Sequence, residues 1–181
     1  MAGILIFRPA FDVGHSIFLT QRSIMVTGNF YYLKDSYYNK FPNCNLIGNK
    51  ADNGDEKHDR PCFYCFEKDG IYWMIPISSQ IEKYENLYNE KMKRYNGHFD
   101  GIRFGYVNGK KRAFLIQNMC PVTDEYIDHE YRIEKNTKTV RLDEKFAKEL
   151  NAIARKVLRF YYDRGIKIIL TDLDTILKSL S

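Results

Sequence analysis

Between Arg60 and Lys83 the chain has to turn back on itself, and this constrains the fold more than any other stretch. Cys62 to Phe66 and Ile71 to Ile77 are rich in aromatic and β-branched residues, and Lys68-Asp69-Gly70 between them carries the Asp-Gly pair of a two-residue hairpin. In an antiparallel pair the start of the first strand lies beside the end of the second. Arg60 is therefore brought next to Ser78 and Ser79, which follow the second strand. A cation beside two hydroxyls suits a phosphate. Pro76 is expected to end regular ladder pairing, because proline has no N–H to give.

With 181 residues, 44% hydrophobic and 28% charged, the chain suits one soluble globular domain with a sizeable core. Its 14 Tyr and 12 Phe against a single Trp supply rings that fill such a core and that also stack on unpaired bases. A formal charge of +5 favours an anionic partner. The apolar bursts Ile4 to Phe7 and Ile17 to Thr20 are too short for a signal-peptide core or a membrane span, so a cytoplasmic protein with no membrane partner is expected. Residues 1–24 read as an extension of unknown role, with Met25 an alternative start, and 25–181 as the functional domain.

Four cysteines, Cys44, Cys62, Cys65 and Cys120, include one Cys-x-x-Cys. No second such pair or His pair completes a zinc site, and strand alternation sends Cys62 and Cys65 to opposite faces. Reduced, buried thiols are expected, with no metal and no cofactor. The chain has no His-Glu-x-x-His, Walker loop, dinucleotide fingerprint or nucleophile elbow, and no clustered carboxylates for a two-metal nuclease.

Taken in order, Phe30 begins a strand that leads into a short helix capped by Asp35 or Ser36 and ending at Phe41 before Pro42. Asn43 to Asp59 is expected as one long polar loop; His58 within it is a titrating group close to Arg60. Ile81 to Tyr95 reads as a helix with Ile81, Tyr84, Leu87, Tyr88 and Met92 on one stripe. Ser78 or Ser79 is its expected N-cap, with Glu82 completing a capping box. Gly101 to Val107 and Arg112 to Ile116 flank the turn pair Asn108-Gly109. Thr123 to Val140 is a short helix or extended segment followed by a basic strand-like connection. Asp143 to Arg164 is the longest helix, ended by Gly165, and Ile166 to Leu170 is expected as a last strand before a helix capped by Asp172. The fold class is α+β: a twisted antiparallel sheet or partly open barrel surrounded by helices.

A cation, hydroxyls and tyrosines at a strand-to-helix junction support RNA cleavage in which the ribose 2′-OH is the nucleophile. Phe30 to Tyr37, Arg60 to Phe66, Tyr72 to Ser79 and Ala113 to Pro121, in that order and spacing, resemble the endoribonuclease toxins of type III toxin–antitoxin systems. The subgroup is CptN/ToxN, which includes the phage-abortive AbiQ proteins. The resemblance covers about Thr27 to Leu180.

It implies a Kid/MazF-like core, metal-independent cleavage of A-rich cellular and phage RNA to a 2′,3′-cyclic phosphate, and inhibition by a repeat-encoded pseudoknot RNA in a closed RNA-mediated hetero-oligomer. It matches Arg60 to phosphorane stabilisation, Ser79 with Ser78 to phosphate positioning or proton transfer, and Tyr37 to stacking or phosphate contact. The family lysine corresponds to Lys83 only by nearness, since Ile81 stands at the closest offset. His58 is a general-base candidate on chemistry alone.

The expected RNA-binding surface comprises Lys91, Lys93 and Arg94 of one helix, Arg132, Lys135, Lys138 and Arg141 of the basic connection, and Gln117 and Asn118. A non-catalytic RNA-binding module and a MazF-like toxin neutralised by a protein are the alternatives.

Overall fold

The computed structural model describes residues 25–52 and 57–180; the 1–24 extension lies outside them. The elements in order are β1 (Phe30–Leu33), α1 (Asp35–Lys40), β2 (Lys50–Asp52), β3 (Lys57–Asp59), β4 (Cys62–Lys68), β5 (Ile71–Ser78), α2 (Ile81–Arg94), β6 (Arg103–Val107), β7 (Lys110–Phe114), β8 (Cys120–Val122), β9 (Ile127–Glu130), β10 (Arg132–Ile133), β11 (Lys138–Thr139), α3 (Glu144–Arg164) and α4 (Leu173–Leu180).

The β4–β5 hairpin is the centre of the sheet. Asp69 and Gly70 both take positive φ, 54° and 76°, as a tight turn of this hand requires. One edge of β5 pairs with β4, while its other edge is shared in sequence by β8, opposite Tyr72 to Met74, and β7, opposite Ile77 and Ser78. Pro76 falls between those two stretches. Its missing N–H costs nothing there, and the strand runs on to Ser78 instead of stopping at the proline. The antiparallel order is β6-β7-β5-β4-β1-β9, with β8 branching from β5, so the sheet is open and mixed with helices on its faces.

Alternation divides the core. Phe63, Cys65, Trp73, Ile75 and Phe114 pack on one face against Leu150, Ala154 and Val157 of α3. Cys62, Tyr64, Met74 and Cys120 pack on the other with Tyr37 of α1 and Ile176 of α4. The two cysteines of the Cys-x-x-Cys pair thus lie on opposite faces, and all four thiols are free and buried. A third cluster seats the α2 stripe, with Tyr84 against Phe99, Ile102 and Leu115.

Several local expectations give way to backbone chemistry. The 43–59 loop contains the β2–β3 hairpin. Neither α1 nor α2 has a side-chain cap: Lys34 and Gln80 occupy their N-cap positions, and Asp35, Ser36 and Ser79 do not serve. Asp143 does cap α3, its Oδ1 accepting from Phe146 N at 3.0 Å, and Asp172 Oδ1 accepts from Thr175 N at the start of α4. Residues 166–170 form no strand. Leu170 N donates to Gln117 O at 2.7 Å, but no ladder continues that bond.

Candidate active site

The hairpin register and the end of β5 together shape a cleft of about 440 Å³. Arg60 and Pro61 enter from the start of β4, Ser78 and Ser79 from the end of β5, and Val107, Asn108, Lys110 and Arg112 from the β6–β7 hairpin. Tyr32 of β1, Tyr131 and Asp59 close the remaining wall. The sequence-derived juxtaposition of Arg60 with the serine pair is therefore present.

Arg60 is pinned at the wall. Its Nη1 donates to Ile77 O at 2.9 Å and its Nε to Gly48 O at 3.2 Å, so two main-chain carbonyls fix where the cation sits. The two serines differ. Ser78 is buried, and its Oγ accepts from Gln80 N at 3.2 Å, which shapes the strand-to-helix junction. Ser79 is exposed toward the cleft, and its main-chain carbonyl accepts from Ile81 N at 2.8 Å.

Lys110 and Arg112 complete the positive character. They stand two apart on β7 and so share a face, whereas Lys111 between them turns away to pair with Glu85 of α2 at 2.5 Å. Sequence reasoning missed both. The signal was there in the basic run directly after Asn108-Gly109, read with a period of two. Three cations thus share the cleft with one carboxylate, Asp59.

Tyr32 was missed as well. Burial first, then the nearby Tyr131 and Asp59, push its phenol up to about 12. It therefore stays protonated and can donate a hydrogen bond or a proton at any physiological pH. His129 packs on it with ring centroids 4.7 Å apart and the planes tilted by 31°, and its Nδ1 lies 2.8 Å from Asp128 Oδ2.

Other proposed residues fall elsewhere. Tyr37 is fully buried, its hydroxyl donating to Pro121 O at 2.7 Å and its ring packed on Phe41 and Tyr126; it is a core residue, not a stacking platform. Lys83 is exposed on the first turn of α2, with its Nζ 5.5 Å from the Tyr84 ring centroid, outside the main cleft. The backbone of His58 lies in β3, paired with Ala51. Arg132, Lys135 and Lys138 belong to the β10–β11 hairpin, which follows Tyr131, and Arg141 comes just after it. Arg132 pairs with Glu130, Lys138 with Glu134 and Arg94 with Glu90. The Lys138–Glu134 and Arg94–Glu90 pairs are exposed on both sides, are worth about 0–1 kcal/mol and yield readily to a phosphate. Lys93 is exposed on the last turn of α2. Gln117 and Asn118 are largely buried, and neither lines the cleft. Among the described residues no three His, Cys, Asp or Glu side chains converge as a metal site, and no helix is long and apolar enough to cross a membrane.

No protein-family model matches the chain, and no curated protein sequence does. A search of solved structures finds AbiQ, a lactococcal anti-phage endoribonuclease belonging to the type-III toxin–antitoxin system, at a TM-score of 0.61 and 15% identity. The match covers 86% of this chain and all of AbiQ. At that identity the likeness is one of architecture, and the chain has the fold of AbiQ.

Proposed function

We propose that the protein is a metal-independent endoribonuclease, the toxin of a type III toxin–antitoxin system, which cleaves A-rich RNA in the cytoplasm and is held inactive by a repeat-encoded pseudoknot RNA. The observation that carries this reading is the convergence of Arg60, Ser79, Lys110 and Arg112 on one cleft, in a chain with the fold of AbiQ.

The reaction needs little covalent help from the protein. The ribose 2′-OH gives its proton to solvent water and its oxygen attacks the adjacent phosphorus; the P–O5′ bond breaks, and the 5′ oxygen takes a proton from Tyr32, which solvent then restores. What remains is a 2′,3′-cyclic phosphate and a 5′-hydroxyl. Charge accumulates on the non-bridging oxygens in the transition state, which is where fixed cations and hydroxyl donors act. Arg60, held by two carbonyls, stabilises the phosphorane; Ser79 positions the phosphate; Lys110 and Arg112 hold the flanking backbone; and Tyr32, protonated, serves the leaving oxygen.

The test is cleavage of A-rich RNA by purified protein in excess EDTA, with product ends mapped. Full activity and cyclic phosphate ends are expected, and Ser79→Ala is expected to lower the rate by about 10²-fold or more. A magnesium requirement or 5′-phosphate ends would remove the substrate-nucleophile mechanism. Binding without cleavage would leave a non-catalytic RNA-binding module. Neutralisation by a protein expressed from a neighbouring gene, with no tandem non-coding repeats upstream, would point instead to a MazF-like system.

A further inference from the structure

A second cavity of about 520 Å³ opens between the C-terminal half of α2, residues 98–100, α3 and the extended segment 166–170. It shares no lining residue with the cleft. Its walls carry rings: Tyr95 and Phe99 stack with centroids 6.2 Å apart at 20°, and Phe160 stands on the α3 side. Nearly half of Tyr95 is exposed. Lys91, Lys156 and Lys167 also line it, against one carboxylate, Asp100, which Lys156 and Arg103 neutralise. Lys91 and Lys167 make no ion pair among the described residues.

Gln117 is the telling residue. Only 5% of it is exposed, it lines this cavity, and its side-chain amide has no hydrogen-bond partner among the described residues. Its main chain is tied to both sides of the cavity, with N donating to Gly101 O at 2.8 Å and O accepting from Leu170 N at 2.7 Å, so the backbone that carries the amide is fixed before any ligand arrives. A carboxamide pairs in bidentate fashion with the N6 and N7 edge of adenine, and aromatic walls take the base by stacking.

We propose that this cavity holds one unpaired adenine nucleotide of a bound RNA chain, with the base against Tyr95, Phe160 and Gln117 and the phosphate toward Lys91 and Lys167. The proposal rests on the RNA reading of the cleft and extends it to a second recognition point. An RNA strand is favoured over a free nucleotide because α2 connects the two sites. Its first turn follows Ser79, its last carries the exposed Lys93 and Arg94, and its 14 residues span about 21 Å.

The experiment is a titration of the isotope-labelled full chain followed by amide shifts. AMP should move resonances of 87–99, 117 and 166–170, with at least about fivefold tighter binding than CMP, and adenosine should bind more weakly than AMP. Tyr95→Ala should weaken AMP about tenfold, and Gln117→Leu should remove most of the preference for AMP over CMP. A short uridine-rich RNA with one adenine should displace AMP at lower concentration than AMP itself needs. Absence of AMP shifts in these segments of the wild-type protein would overturn the proposal, as would tighter binding of ATP than of the RNA, or of a peptide in place of either. RNA cleavage scored on the same sample keeps the two readings apart. Lost cleavage with intact AMP binding refutes the ribonuclease, whereas a cleaving protein with no AMP shifts refutes the pocket.

Discussion

Ser78 and Ser79 are neighbours in sequence with opposite duties. Ser78 spends its Oγ on Gln80 N, so Ser78→Ala should lower stability by about 1 kcal/mol, read as a shift in the urea midpoint. Ser79→Ala should lower cleavage by about 10²-fold or more. Lys110→Ala and Arg112→Ala should each slow cleavage about tenfold or more, the scale of one charge-assisted contact, without a change in the midpoint. Tyr32→Phe should also slow cleavage, while the shape of the rate profile between pH 6 and 10 stays that of the wild type. With its phenol near 12, Tyr32 is protonated throughout that window and contributes no break to it. At this scale Arg60 beside the serines was legible because a two-residue turn fixes register. Lys110 and Arg112 were not, because the Asn108-Gly109 signal was read for the turn it makes and not for the face it sets. Tyr37 misled because a tyrosine near the site in sequence is placed by the phase of α1, which points it into the core.

At the scale of elements, the helices show which caps matter. Asp143→Ala should cost about 1 kcal/mol, because that carboxylate accepts from Phe146 N at the start of α3. Ser79→Ala should carry no such cost, since the N-cap of α2 is Gln80 and no side chain caps it. Gly105→Ala tests the seat of α3: a Cβ there would run into the Phe146 ring, so a loss of about 1–3 kcal/mol is expected in thermal or urea unfolding. The hairpins and the two longer helices could be read from turn pairs and periodic stripes. The β2–β3 hairpin could not, being two three-residue strands without an apolar alternation to announce them. Residues 166–170 carry the composition of a strand but find no strand edge to pair with, so tertiary context overrides propensity.

For the molecule as a whole, acid should unfold the protein through a small set of tethered carboxylates. Burial alone would raise Asp100, but hydrogen bonds from Lys156 and Arg103 outweigh it and hold its carboxyl below the usual range; Asn29, Arg132 and Thr139 do the same for Glu130. A depressed folded-state pKa gives stability that is fully present above the unfolded value, near 4, and is lost as pH falls through the folded one. Asp100→Asn should therefore flatten the acid limb of the stability curve between about pH 4 and 2, as urea midpoints at successive pH values will reveal. RNA affinity should fall with salt with a slope of about 0.7 per phosphate contact, and a flat dependence would leave the basic cleft without a role in binding.

The sheet topology also carries a timetable. β4 and β5 are joined by two residues and pair locally, whereas β1 and β9 bring together residues roughly a hundred positions apart, an encounter whose loop-closure cost must be met first. The wall holding Arg60 and Ser79 belongs to the early pairing, and the wall holding Tyr32 and Tyr131 to the late one. On a ribosome, the second wall cannot form until β9 has emerged, well after the hairpin, so the nascent chain passes through a long interval with half a cleft. On the ribonuclease reading proposed above, a newly made molecule is inactive for that interval, which is the time an inhibitor has to bind it.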